Sequence, residues 1–229
     1  MRKDAVLASF SDPKAVERYT DGPRQYLPGL DGLHRMTEVL LAERVPENAR
    51  ILVLGAGGGL ELKALAAARP GWTFVGVDPA RAMLDVAVQT LGPLAERVEL
   101  VEGYIDAAPP GPFDGAVCLL VLHFLEPAER QRTERAIRER LVPGAPFVAA
   151  HGSLTSEPSA RERVLARYRD FAIASGADPE QAERFRAGCA TSAAVLTPEQ
   201  DEEILRAAGF TDVTPVFHAF SWRGWVAHA

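Results

Sequence analysis

Ile51-Leu-Val-Leu-Gly-Ala-Gly-Gly-Gly-Leu-Glu61 runs from an unbroken apolar stretch straight into a glycine-rich turn. Four consecutive apolar residues fit a strand buried on both faces. About twenty residues further on, Val75-Gly-Val-Asp-Pro79 ends a second apolar run in an acid. A strand, a glycine turn, a helix and a strand ending in an acid is how open α/β sheets hold a nucleoside. The glycines let the backbone approach the ligand, and the acid accepts hydrogen bonds from the ribose hydroxyls. Asp78 also suits the cap of the helix that follows, because Asp is favoured there.

The same rhythm continues outward from this stretch. Helical spacing covers Leu30–Val45, Leu60–Ala68, Arg81–Leu91 and Pro127–Leu141. Strands are expected at Ile51–Leu54, Thr73–Val77, Val98–Glu102, Ala116–Leu120 and Pro146–His151. Alternation of this kind predicts a parallel sheet with right-handed crossovers. After His151 the pattern changes. Arg161–Ser175 and Pro179–Ala187 read as helices, and Thr197-Pro-Glu-Gln200 reads as a capping box opening a helix that Gly209 closes. Asp212–Ala219 and Trp222–His228 read as an antiparallel hairpin. A short helix is expected near Pro13–Tyr19. The expected fold is one α/β domain with a Rossmann-like, seven-stranded, mostly parallel sheet. Its parts are an N-terminal helical cover (1–45), a core (46–151), a helical insertion (152–196) and a C-terminal helix and hairpin (197–229).

Composition narrows the function. The chain has 229 residues, 47% of them hydrophobic, with a net charge of −6 and no long basic run. A sequence-independent grip on nucleic acid needs clustered positive charge, so a nucleic-acid substrate is disfavoured. Cys118 and Cys189 lack metal-ligand spacing and read as reduced thiols, and no metal site is expected. No apolar run approaches the roughly 18 residues of a membrane span, and the N-terminus lacks a hydrophobic signal core. A cytoplasmic protein without a membrane partner is expected; a homodimer stays open.

Which nucleoside is held turns on detail. A dinucleotide fingerprint wants a third glycine where Leu60 stands, and no Gly-Lys-Ser/Thr follows the glycines as a P-loop requires. Gly55, Gly57 and Gly59, Asp78 at the end of the second strand, Phe113-Asp114 before the fourth, and the final hairpin together resemble the class I S-adenosylmethionine-dependent methyltransferases. Leu27-Pro-Gly29, Leu122-His-Phe-Leu-Glu-Pro-Ala-Glu-Arg-Gln131, Leu141-Val-Pro-Gly-Ala145, Ala207-Ala-Gly-Phe210 and Gly224-Trp-Val-Ala227 are similar to the carboxy-S-adenosylmethionine synthase-like branch, which acts in tRNA wobble-uridine modification. The resemblance implies S-adenosylmethionine as cofactor, S-adenosylhomocysteine as product and a small-molecule acceptor. Two alternatives stand beside it: a carboxy-S-adenosylmethionine synthase or user, and a non-catalytic nucleoside-binding module. The chain departs from the family's pattern at Val53, where an acid is common, and at Tyr104, where Asp is common. It departs from the synthases at Leu30, where they carry tyrosine.

The resemblance assigns cofactor contacts to Gly55, Ala56, Gly57, Gly59, Asp78, Pro79, Met83, Tyr104, Ile105 and Leu119. On the acceptor side the candidates are Tyr19, Arg24, Tyr26, His34, His123, Arg186 and Trp222. Arg186 lies where the synthases place an arginine for the added carboxylate. His151, at the expected ligand edge of the fifth strand, is the candidate general base, because imidazole titrates near neutral pH. A packed structural histidine is the competing reading. The 1–29 and 152–196 segments are expected to close over the site as a lid.

Overall fold

A computed structural model of the chain describes residues 22–192 and 194–229. The expected helix near Pro13–Tyr19, the candidate Tyr19 and most of the 1–29 lid segment lie outside the described residues. Five parallel strands form the body of the sheet: β1 (Arg50–Leu54), β2 (Thr73–Asp78), β3 (Val98–Glu102), β4 (Gly115–Leu119) and β5 (Pro146–Gly152). β7 (Trp222–His228) adds antiparallel to β5, and β6 (Thr211–Ala219) antiparallel to β7. The order is β3-β2-β1-β4-β5-β7-β6. The chain therefore leaves β1 in one direction and returns past it to β4. The crevice above the carboxyl ends of β1 and β4 is the switch point at which open α/β sheets bind ligands.

Local chemistry fixes these strands. Asp114 accepts the Arg50 N–H at 2.8 Å and donates its own N–H to the Arg50 carbonyl at 2.9 Å, which sets the register of β1 against β4. β2, β1 and β4 are buried along nearly their whole length, as their unbroken apolar runs require. The outer strand β6 is largely exposed and manages its open edge with Pro215 and two register shifts.

Helices cover both faces. α2 (Leu30–Ala42), α3 (Leu60–Ala68) and α4 (Arg81–Leu91) bury Leu33, Leu41, Leu62, Leu65 and Leu84 on one side. α5 (Pro127–Arg138) and α8 (Pro198–Ala207) bury Ile137 and Leu205 on the other. Each such leucine contributes roughly 1.5–3 kcal/mol. α5 stops at Arg138, short of the expected Leu141, because Leu141 bridges to Phe113. α8 opens with the expected capping box: Gln200 N–H donates to Thr197 Oγ1 at 3.3 Å, and Thr197 N–H to Gln200 Oε1 at 3.0 Å.

The insertion is a helical hairpin, α6 (Pro158–Ala174) and α7 (Pro179–Thr191), each opened by an acidic cap followed by proline. These caps start α6 earlier than its apolar spacing suggested. The hairpin has small cores of its own. Leu154, Leu165 and Val195 form one; Ala172, Ala177 and Ala182 form another, against Tyr26 at the end of the short helix α1 (Gly22–Tyr26).

Candidate functional site

The glycine turn is held open by backbone geometry. Gly55, Gly57 and Gly59 have φ of 77°, 48° and 81°, the left-handed region that only glycine enters freely. Space is equally tight. A Cβ on Gly55 would lie 2.0 Å from Val121 Cγ2, and one on Gly59 would lie 3.1 Å from Ala87 of α4. Asp78 closes the turn. Its carboxylate accepts the Gly57 N–H at 2.9 Å and the Ala80 N–H at 2.8 Å. It therefore organises the loop and the turn into α4, whose N-cap residue is Ala80 and carries no side-chain cap bond. Two of the four lone-pair sites of an ionised carboxylate are used, and two remain for hydroxyl donors. Burial raises the Asp78 pKa, and the N–H bonds from Ala80 and Gly57 oppose that rise.

Around this turn, Ala56, Met83, Ile105 and Leu119 are buried, while Pro79 is partly open and Tyr104 is exposed. β4 leaves the sheet through Leu120 at φ 62°, with its N–H bonded to the Ala150 carbonyl at 2.6 Å. A leucine held there costs roughly 1–2 kcal/mol. That strain turns Val121 against Gly55 and sends the chain into the 3₁₀ turn carrying His123.

An aromatic wall rises from that turn. The His123 ring lies 5.4 Å from Trp222, Trp222 lies 6.1 Å from Tyr168, and Tyr168 lies 6.0 Å from Tyr26. Tyr26 in turn meets Phe185 edge-on at 4.9 Å. Trp222 Nε1–H donates to the Tyr26 carbonyl at 3.0 Å, which ties the N-terminal cover to the final hairpin. Gly152 N–H donates to His123 Nδ1 at 3.4 Å, and burial holds the ring's pKa well below its ordinary value. The imidazole is therefore neutral with its proton on Nε2, a hydrogen-bond donor rather than a base.

Comparison with known proteins gives this geometry its relatives. Residues 52–147 match the family described as "Methyltransferase domain". The core is similar to a methyltransferase domain. Carboxy-S-adenosyl-L-methionine synthase of Chromohalobacter salexigens is 27% identical over 226 residues, 96% of this chain and 84% of its own. The enzyme of the same name from Campylobacter lari is 24% identical, over 82% of this chain and 80% of its own. Human N-acetylserotonin methyltransferase, solved with its S-adenosylmethionine, superposes with a TM-score of 0.67 at 16% identity, over 99% of this chain and 59% of its own. PigF, solved with S-adenosylhomocysteine, does so at 0.69 and 17% identity, over 97% of this chain and 62% of its own. At these identities the likeness to solved structures is one of fold, and the chain spans about six-tenths of their length.

Four expectations about single residues need correction. His151 does not open on the site. It is buried on the opposite face of the sheet, its ring tilted against Trp225 at 5.1 Å, with Nε2 3.2 Å from Asp201 Oδ1 and 3.5 Å from Arg130 Nη1. Burial lowers its pKa and the neighbouring Asp201 opposes this. An enclosed ring cannot reach an acceptor, so the packed reading replaces the general base. Arg186 is already paired with two acids, Glu183 on its own helix α7 and Glu162 on α6. Arg24 is exposed and paired with Asp31 at 2.9 Å. His34 is buried on the sheet side of α2, where burial takes its pKa to about 4, so it stays neutral.

Other residues were not foreseen. Tyr168 and Phe185 complete the aromatic wall. Arg130 is fully buried and holds Asp201, His151 and the Ala194 carbonyl, which pins the end of the insertion to the core. Glu61 is buried in the first turn of α3. Its signal was present in the sequence: Glu61, Leu62, Leu65 and Ala66 share one helical face. Among the described residues no group of His, Cys, Asp or Glu has the geometry to hold a metal ion, and no helix is long and apolar enough to cross a membrane.

Proposed function

We propose that the protein uses S-adenosylmethionine to methylate a small, flat acceptor. The observation that carries this reading is the Gly57 N–H···Asp78 bond, which joins the glycine turn to the acid of β2 and leaves carboxylate lone pairs for a ribose. Gly55, Gly57 and Gly59 supply the close backbone approach, with Pro79 and Tyr104 at the adenine side. The cofactor, when bound, supplies an activated methyl on an excellent leaving centre. What remains for the chain is to align the acceptor and exclude water. The aromatic wall of His123, Trp222, Tyr168, Tyr26 and Phe185 suits that task, and the neutral His123 supports an acceptor by donating from Nε2. Its net charge of −6 supports a small-molecule acceptor over a nucleic acid. Free Cys118 and Cys189 support a cytoplasmic setting.

A second reading, use of a carboxylated cofactor, is favoured by the names of the relatives in Chromohalobacter and Campylobacter. Against it stand the ion pairs of Arg186 with Glu183 and Glu162 and the apolar, buried Leu30. Mass spectrometry of ligand released from freshly purified protein separates the two. S-adenosylmethionine or S-adenosylhomocysteine supports the first reading; a dominant carboxy-S-adenosylmethionine peak overturns it. Calorimetry with S-adenosylhomocysteine and NAD tests the cofactor class itself, and tighter binding of NAD would sink it.

A further inference from the structure

We propose that Glu61 is the cofactor's ammonium contact, replacing the acid that this chain lacks at Val53. The inference rests on the S-adenosylmethionine reading and goes beyond it. Glu61 is the second residue of α3, immediately after the glycine turn, and is 6% exposed. No other side chain pairs with its carboxyl among the described residues. It feels the charge of Asp78 at the end of β2, and Cys118 near the end of β4 feels it in turn. Its place in the first turn of α3, directly after Gly59, sets the buried carboxyl beside the glycine turn, close enough to Asp78 to feel its charge. An amino-acid tail extending from a ribose on Asp78 along the glycine turn brings its ammonium to this carboxyl. Val53 lies two residues before Gly55 on β1, is fully buried and can offer the tail nothing polar.

Proton balance follows. Burial pushes the empty-site Glu61 up to about 8, so it is protonated at pH 6.5. Its own backbone N–H donates to the carboxyl, Asp78 of β2 is the charge it feels, and the buried Cys118 of β4 feels Glu61 together with Glu134 and Arg130 of α5. When a cationic ammonium arrives, the carboxyl ionises, its proton leaves to solvent, and a charge-assisted bond forms. Cofactor binding is thus coupled to release of about one proton.

The test is calorimetry at pH 6.5 in buffers of different ionisation enthalpy, with S-adenosylhomocysteine and with 5′-methylthioadenosine, which lacks the amino-acid tail. The wild type is expected to release a proton with the first ligand and none with the second. Glu61→Gln is expected to bind methylthioadenosine unchanged, which also reports a folded crevice, and to lose about 10- to 100-fold affinity and the proton release with S-adenosylhomocysteine. Equal proton release in wild type and Glu61→Gln, or no selective loss for the tailed ligand, overturns the role of Glu61 while leaving the cofactor reading intact. Failure of both ligands to bind the wild type overturns the cofactor reading instead.

Discussion

The two sides of the crevice are built by different means. The donor side is backbone: three glycines at positive φ, an acid accepting two N–H groups, and the start of α3 packed against the middle of α4 with no room for a methyl. The proposed acceptor side is side chains, contributed by α1, the turn after β4, α6, α7 and β7. A backbone site tolerates almost no change at its glycines. A side-chain wall can be altered piece by piece, and its changes should be felt by the acceptor and not by the cofactor. Beneath the acceptor side lies a third arrangement, the buried Arg130–Asp201–His151 cluster, which anchors the insertion without touching the crevice.

The largest expected effect tests that anchoring. Arg130→Met should destabilise the fold by about 3–5 kcal/mol, because Asp201 is left charged and buried without its partner. Removing both members, as Arg130→Met with Asp201→Leu, should recover most of the loss. Urea denaturation of the three proteins reads this directly. A single mutant as stable as the wild type would show that the cluster holds nothing.

Next comes the donor side. Asp78→Ala should weaken S-adenosylhomocysteine binding by roughly 1.5–3 kcal/mol, the range for bonds to a charged group, and lower the melting temperature because the Gly57 tie is lost. Gly55→Ala should behave similarly by a different route, through the clash with Val121 and the disfavoured φ; Val121→Ala should relieve the clash but not the φ. Affinity by calorimetry and stability by thermal melting separate the contributions.

On the acceptor side, Phe185 is 46% exposed, so its removal costs the fold little. Phe185→Ala should leave S-adenosylhomocysteine affinity within about twofold while lowering methyl transfer by about 1 kcal/mol in kcat/KM, the worth of one aromatic pair. Cofactor and acceptor affinities falling together would erase the distinction between the two sides.

The difference also explains what could be read from the sequence. The strands, the final hairpin and the glycine–acid pair were legible because each rests on local patterns: Ile51–Gly59, Val75–Asp78, and the Thr197–Gln200 box. The aromatic wall was legible only in fragments. Tyr26, His123 and Trp222 stood out, but their meeting with Tyr168 and Phe185 depends on how the α6–α7 hairpin docks, which no local pattern encodes. His151 and Arg186 misled for the same reason. Being at a strand end or on a charged helix says nothing of which face the side chain takes or which acids meet it. Glu61 went unread, although it shares a helical face with Leu62, Leu65 and Ala66, because a carboxylate in a first helical turn is ordinary on a surface.

The smallest expected effect concerns pH and draws the comparison tightest. Glu61 under the donor side and Glu134 on α5 are both buried, and burial pushes each up to about 8. In the unfolded chain both return to about 4.3. Between these values the folded protein holds protons that the unfolded chain has released. Their stabilising contribution is therefore complete below about pH 4, falls as pH rises, and is lost above about 8. His34 acts oppositely. Its folded pKa of about 4 lies below its unfolded value, so its contribution is lost as pH falls from about 6.5 toward 4. Urea midpoints should thus decline from about pH 6.5 to 8.5, on the order of 1 kcal/mol per carboxyl after relaxation and water entry. Glu134→Gln and Glu61→Gln should each flatten that decline. The two then part company. If Glu61 meets the cofactor's ammonium, saturating S-adenosylhomocysteine should flatten the Glu61 share alone. In the Glu61→Gln protein, where only Glu134 remains, the ligand should leave the slope unchanged. A ligand that alters the slope as much without Glu61 as with it would mean that the buried carboxyl of the donor side is no different from that of the sheet's far face.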